Sequence, residues 1–265
     1  MAATYLDDIL QRHRRRATAD TRNWRERIGS VHYEGPSMFD ALANHTVQHI
    51  KVIAEIKRRS PSRGWLNENL NASDYARHYE RGGATAISVL TDMDGFSGSE
   101  QDLRDVARTV ALPILRKDFT VSANDVLDTA QMGASAVLLI VRALSDQELE
   151  EFLVVAETVG IDALVEVHDE DEARRAVDAG AKIIGVNQRN LATFNVDPEH
   201  AETIIEAIPT FVLTVCESGL HSNDDVRRAS EAGFDAVLVG EAFVTTDSVN
   251  EVVREFTSIR WVGRD

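Results

Sequence analysis

Met132-Gly133-Ala134-Ser135-Ala136-Val137 compresses the end of a helix, a turn and the start of a strand into six residues. Glycine tolerates the left-handed conformation that closes a helix, and residues 136–141 form a continuous apolar run of strand length. The phrase returns as Ala179-Gly180-Ala181-Lys182-Ile183-Ile184 and as Ala232-Gly233-Phe234-Asp235-Ala236-Val237. Gly82 and Gly160 hold the same place in other units. A helix that ends in glycine and leads into a strand is therefore the repeating unit of the chain.

Working outward, strand-like runs fall at 52–57, 84–90, 113–117, 136–141, 163–167, 183–186, 211–216 and 236–239. Amphipathic helical segments with polar starts separate them, at 73–81, 100–109, 124–132, 146–158, 170–179, 198–208 and 224–232. Strict alternation calls for parallel strands. Eight such units in 265 residues predict an α/β fold of the closed (β/α)8 TIM barrel type. An open doubly wound sheet is the alternative, but no G-x-G-x-x-G follows the first strand.

The expected organisation is one barrel domain over 1–265, with residues 1–50 as an N-terminal helical extension. In that extension Tyr5, Leu6, Ile9 and Leu10 have helical spacing and precede the basic cluster Arg12, His13, Arg14, Arg15 and Arg16. Cations favour a helix C-terminus, which explains the cluster without a nucleic-acid or membrane patch. Gly35-Pro36 then makes a turn, and Ser37 can cap a helix through Met38, Leu42 and Val47.

The composition, 43% hydrophobic and 27% charged with a net charge of −16, fits a globular protein with an acidic surface. That charge disfavours nucleic acid as a partner. No apolar run reaches the ~20 residues needed to span a bilayer, and the first residues lack the apolar stretch of a secretory signal, so neither a span nor a leader is expected. A cytoplasmic protein with no membrane association is expected. Cys216 is the only cysteine, so no disulfide and no multi-thiolate metal site can form; a buried structural thiol is the expectation. The lysines are only Lys51, Lys57, Lys117 and Lys182. An acidic, lysine-poor surface suits work in concentrated salt, where screening removes self-repulsion, and points to a halophilic protein.

Barrels of this kind assemble their sites at the C-terminal ends of the strands. Here the runs end in Glu55 and Lys57, Thr91-Asp92, Arg116-Lys117-Asp118, Arg142, Glu166 and His168, Asn187 and Arg189, Glu217-Ser218, and Gly240. Glu55 and Lys57, at i and i+2, share one strand face. On a single edge strand they would be a solvated ion pair; gathered at one rim, these groups make a pocket for proton transfer. Glu217-Ser218-Gly219-Leu220 and Val239-Gly240-Glu241-Ala242 place glycines after the last two strands, where backbone N–H groups can cradle a phosphate and Ser218 adds a hydroxyl.

On these residues the chain resembles the indole-3-glycerol-phosphate synthase family of tryptophan biosynthesis. The resemblance lies in Glu55-Ile56-Lys57-Arg58-Arg59-Ser60-Pro61-Ser62, Leu115-Arg116-Lys117-Asp118-Phe119, Leu164-Val165-Glu166-Val167-His168, Gly185-Val186-Asn187-Gln188-Arg189-Asn190-Leu191 and Glu217-Ser218-Gly219-Leu220. It implies a carboxy-lyase that closes 1-(2-carboxyphenylamino)-1-deoxyribulose 5-phosphate to an indole with loss of CO2 and water, using no cofactor and no metal. It further implies Lys117 as general acid at ring closure and Lys57 as partner of the substrate carboxylate or proton donor in dehydration. Glu166 would be the partner acid or base, Glu55 and Glu217 would hold and tune the lysines, and Asn187 would orient the substrate or Glu55. Ser60, Ser218, Gly219, Gly240 and the backbone of Glu241 resemble the phosphate site. Pro61, Phe119 and Leu191 resemble the wall around the aromatic ring, and Arg189 should reach the substrate.

The Glu241 carboxylate stands beside the proposed phosphate pocket, and Asn190 stands where aspartate is expected in many relatives. A small phosphorylated substrate is the expected partner of a chain acting as a monomer. Two other readings remain. Phosphoribosylanthranilate isomerase would need a cysteine and aspartate pair at the rim, which Cys216 beside Glu217 does not supply. A non-catalytic phosphate-ligand sensor would not need Lys57, Lys117 and Glu166.

Overall fold

The computed structural model describes residues 5–44, 48–189 and 196–264. Eight parallel strands close into a barrel: β1 (Lys51–Ile56), β2 (Ala86–Leu90), β3 (Ile114–Lys117), β4 (Ala136–Ile140), β5 (Asp162–Val167), β6 (Ile183–Asn187), β7 (Leu213–Glu217) and β8 (Ala236–Val239). Each pairs with its successor in sequence, and β8 closes on β1 through Lys51–Ala236 to Ala54–Val239. The sequence ranges differ from these strands by two residues or fewer at each end, the spread expected where ladders begin and fray.

Alternation along each strand divides the buried residues into two layers. One set, including Ile53, Ala86, Leu115, Leu138, Leu164, Ile183, Val215 and Leu238, fills the barrel interior. The other, including Val52, Val89, Val137, Val165, Ile184, Cys216 and Val237, packs against the surrounding helices. Burying each of the larger of these side chains contributes about 1.5–3 kcal/mol. The same parity carries upward to the rim. Continuing the inward sets reaches 55 and 57 on β1, 117 on β3, 166 and 168 on β5, 185 and 187 on β6, 217 on β7 and 240 after β8.

Polar caps start the outer helices. Asn71, Ser99, Ser122, Ser145, Asp169, Asp197 and Ser222 each accept a bond from a backbone N–H in the first turn, a contact worth about 1 kcal/mol each. Gly133 and Gly160 close their helices at φ 91 and 81. In the first unit that place belongs to Gly83, φ 90, rather than Gly82. Gly82 lies inside its helix, where a Cβ would meet Val253 at 2.6 Å, so packing and not backbone conformation explains it. The helix Val249–Thr257 that completes the last unit was not distinguished in the sequence. Nor was the small antiparallel hairpin Arg59–Ser60 with Gly64–Trp65.

The N-terminal extension runs from the mouth of the barrel to its floor. Helix α1 (Tyr5–Ala19) lies at the C-terminal ends of β2, β3 and β4. Four of the five residues of its basic cluster are spent on pairing: Arg12 with Asp94, His13 with Asp92 (3.2 Å), Arg14 with Glu148 and the Ala143 carbonyl, and Arg16 with Asp125 (3.1 Å). Cations at a helix end thus serve as ties to the barrel more than as complements to the helix dipole. Lower down, Arg22 and Arg27 bind Asp128. The helix Met38–Ala43, capped by Ser37, then inserts Met38 and Leu42 among the interior residues at the strand starts. Asp162 at the start of β5 accepts from Ser37 Oγ and the Phe39 N–H. Val47 lies outside the described residues.

Candidate active site

The centre of the rim is Lys117. Its Nζ lies 2.6 Å from Glu166 Oε2 and 3.0 Å from Glu217 Oε2, so one ammonium from β3 is clamped by carboxylates from β5 and β7. Beside it, Lys57 Nζ donates to Glu55 Oε1 at 2.5 Å. Asn187 Nδ2 donates to Glu166 Oε1 at 3.1 Å, while Asn187 Oδ1 accepts from the Arg189 N–H. Two glycines make room for the acids. A Cβ on Gly185 would stand 2.0 Å from Glu217 Oε1, and one on Gly240 would stand 2.6 Å from Glu55 Oε1.

Burial and neighbours push the two clamping carboxyls apart. Burial raises Glu217, repulsion from Glu166 and Glu55 adds to it, and despite Lys117 its pKa is pushed up to about 7. Burial also opposes the charge on Glu166, but Lys117 and His168 outweigh it and hold that carboxylate well below its usual range. Lys117 is desolvated too, yet Glu166, Glu217 and Glu55 hold its ammonium above the ordinary lysine range. Carboxyls driven apart by environment are the pattern expected of a divided acid and base. One stays ionised at neutral pH while the other can take or give a proton.

Around this centre is a pocket whose lining includes fourteen of the fifteen residues expected from the sequence: Glu55, Lys57, Ser60, Pro61, Lys117, Phe119, Glu166, Asn187, Arg189, Glu217, Ser218, Gly219, Gly240 and Glu241. The fifteenth, Leu191, lies outside the described residues, as does Asn190. On one side Ser218 and Gly219 adopt φ 68 and 73, a left-handed pair that turns the chain sharply after β7. A Cβ at Gly219 would strike Val196 at 2.3 Å. Glu241 opens the short helix Glu241–Val244, and its carboxylate is paired with Arg63 of the β1 loop at 3.2 Å. Nothing in the local sequence marks Arg63. Here it neutralises the one carboxylate that sat awkwardly beside the glycine turns.

The apolar lining comes from Pro61, Phe96, Phe119, Ile140 and Leu220, joined by Leu6 and Ile9 of α1. The helical spacing of Leu6 and Ile9 does not by itself link them to the site, since the same spacing serves packing on any surface. The Phe119 ring also meets those of His13 at 5.5 Å and Phe96 at 6.3 Å. Of the rim polar groups in the sequence, Arg116 turns outward from the interior. It binds Asp118 at 2.9 Å and Thr91 at 3.2 Å under α1. His13, Asp92 and Asp118 bring three metal-ligating atoms within 4.8 Å of one another. Their partners are nevertheless internal: Asp92 accepts from Gly95 N–H, and Asp118 from Arg116, Thr91 and Phe119 N–H. Cys216 is buried on the helix side, where it accepts from Gln188 Nε2 and burial raises its thiol.

Fold and rim together define an acid/base enzyme of the (β/α)8-barrel class. The family model for indole-3-glycerol phosphate synthase matches residues 6–256, and the chain belongs to that family. Indole-3-glycerol phosphate synthase of Chlorobium phaeovibrioides is 42% identical over 260 residues, covering 97% of this chain and 98% of that protein. The Acetivibrio thermocellus enzyme of the same name is 40% identical over 237 residues, 89% and 90% of the two chains. That of Micrococcus luteus is 48% identical over 207 residues, 78% and 77% of the two. Among solved structures, thiamine phosphate pyrophosphorylase from Pyrococcus furiosus aligns with a TM-score of 0.59 at 18% identity, over 79% of this chain and 94% of that one. N-acetylmannosamine-6-phosphate 2-epimerase from Clostridium perfringens gives 0.59 at 14% identity, over 80% and 92%. At such identities the likeness is one of fold alone.

Proposed function

We propose that this protein converts 1-(2-carboxyphenylamino)-1-deoxyribulose 5-phosphate to indole-3-glycerol phosphate, releasing CO2 and water, with the rim residues in the following roles. The observation that carries the reading is Lys117 seated between Glu166 and Glu217 at the centre of the pocket. As the aromatic carbon bearing the carboxylate attacks the ketone carbon, negative charge grows on the ketone oxygen. Lys117 donates its proton there. Loss of CO2 restores the aromatic ring, and departure of the resulting hydroxyl as water, with loss of a ring proton, completes the indole. Lys57 pairs with the substrate carboxylate until CO2 leaves and then can protonate the departing hydroxyl. Glu166, held ionised, accepts the proton. Glu55 and Glu217 hold the two lysines, and Asn187 orients Glu166.

The substrate phosphate sits on the left-handed turn at Ser218 and Gly219 with Ser60, Gly240 and the backbone of Glu241 around it, and Arg63 keeps the Glu241 carboxylate paired. Arg189, which lines the same pocket, supplies further positive charge. The aromatic ring lies against Pro61 and Phe119. One barrel domain with a helical extension, acting as a cytoplasmic monomer without cofactor, belongs to the same proposal. No helix among the described residues is long and apolar enough to cross a membrane.

The deciding experiment is to mix purified protein with the substrate and follow indole fluorescence. Appearance of the signal, abolished in Glu166→Gln, is expected. Substrate that binds without any indole signal would replace this reading with that of a phosphate-ligand sensor.

A further inference from the structure

Behind Glu166 lies a buried chain of charges that the roles above do not use. His168, two residues further along β5 and on the same side, is 7% exposed. Its Nε2 stands 3.3 Å from Glu166 Oε1, and its Nδ1 stands 3.1 Å from Glu172 Oε2. Glu172 also accepts the His168 backbone N–H at 2.8 Å and is held from behind by Arg142 Nε at 2.7 Å. The ring is therefore hydrogen-bonded at Nδ1 to Glu172, while its buried Nε2 faces the Glu166 carboxylate without a hydrogen bond, a placement between two carboxylates that favours the imidazolium.

We propose that His168 is a positioning residue for the reaction: with Glu172 and Arg142 behind it, it sets the orientation and charge of the Glu166 carboxylate that meets Lys117. This rests on the role given to Glu166 above. The Oε1 oxygen of Glu166 faces both His168 and Asn187, leaving Oε2 to Lys117. Three positive or donor groups converge on one buried carboxylate, and removing the imidazolium leaves that carboxylate held by Asn187 and Lys117 alone. The charged and titratable groups facing this unit are Glu172 and Arg142, the pair Lys117 and Glu217, and His200, whose ring nitrogen meets the His168 carbonyl at 3.2 Å. Burial alone would favour neutral imidazole, but Glu166 and Glu172 raise His168 to about 9. The ring is thus charged across neutral pH and loses its proton in the alkaline range.

His168→Gln keeps a donor but no charge. Its kcat is expected to fall about tenfold or more, as for a misplaced catalytic group, with KM little changed. The inflection of kcat near pH 9 should be lost from its profile. Glu172→Gln retains the ring and one acceptor, and should move that inflection down by about one pH unit. The imidazole 15N shifts of His168, titrated in the wild-type enzyme, should break near pH 9. A His168→Gln enzyme with wild-type kcat and an unchanged alkaline limb would overturn the proposal, even if its melting temperature drops. If His168→Gln fails to fold, an inflection unmoved in Glu172→Gln would overturn it as well. Glu166→Gln is measured alongside. If it keeps full activity, the role of Glu166 falls and this inference with it; if it is inactive while His168→Gln is normal, this inference falls alone.

Discussion

Gly185→Ala tests the site through a residue that carries no chemistry of its own. The added Cβ would lie 2.0 Å from Oε1 and 3.1 Å from Cδ of Glu217, and 3.3 Å from Leu164 Cδ1. An ordinary carbon–oxygen contact is about 3.3 Å, so the carboxyl must retreat by about 1.3 Å. It cannot do so freely, because Glu217 is 2% exposed. A shift of that size takes Oε2 out of its 3.0 Å contact with Lys117 and leaves the ammonium to Glu166. Misplacement on this scale costs about a hundredfold in rate, while crowding a packed interior costs about 1–3 kcal/mol of stability. The expected variant is therefore folded, with a lower urea midpoint, near-normal KM and kcat reduced about a hundredfold in the indole fluorescence assay. A Gly185→Ala enzyme within about threefold of wild-type kcat would show that the position of Glu217 is irrelevant to turnover.

Lys117→Ala should lose at least about a hundredfold in turnover while still binding indole-3-glycerol phosphate in an equilibrium titration; near-normal turnover would remove Lys117 as general acid. Stability should decline with alkali. His168, raised from 6.5 to about 9, contributes about 3 kcal/mol that is fully present below pH 6.5 and lost as the pH rises through 9. Glu217, raised from 4.5 to about 7, acts in the same sense, its contribution gone above pH 7. Urea unfolding at steps from pH 6.5 to 9 measures the His168 contribution, and a flat or rising midpoint contradicts it; the Glu217 contribution is lost over pH 4.5 to 7. Finally, with a net charge of −16, activity and unfolding midpoint are expected to rise together from low to high KCl; full activity without salt would refute the halophilic reading.

The barrel was legible because its strands are short, apolar and closed off by glycines, so local pattern and global topology agree. Glu55, Lys57, Lys117, Glu166 and Glu217 were legible for a related reason: parity along a strand carries them to the inner face once the barrel is assumed. Other features depend on contacts that no local pattern encodes. Leu6 and Ile9 have the spacing of any amphipathic helix, and only the docking of α1 brings them to the pocket. The arginines at the end of α1 resemble a response to that helix's own dipole, whereas their partners lie 82 to 134 residues away. Gly185 had no turn signal to mark it, since its reason for being glycine is a carboxyl from the neighbouring strand. Gly82 mimics a cap in sequence because Gly83 beside it offers the same freedom.

The ties of α1 also impose an order on the making of the protein. The helix leaves the ribosome ahead of the barrel, and Glu148, which anchors Arg14, follows 134 residues later. At roughly 5–20 residues per second, α1 waits about 7–27 s for that anchor. Throughout that interval Leu6 and Ile9 have no pocket to line, and the arginines have only solvent and the growing acidic chain. The segment that roofs the finished mouth is thus synthesised before the barrel it covers and must wait to find its place.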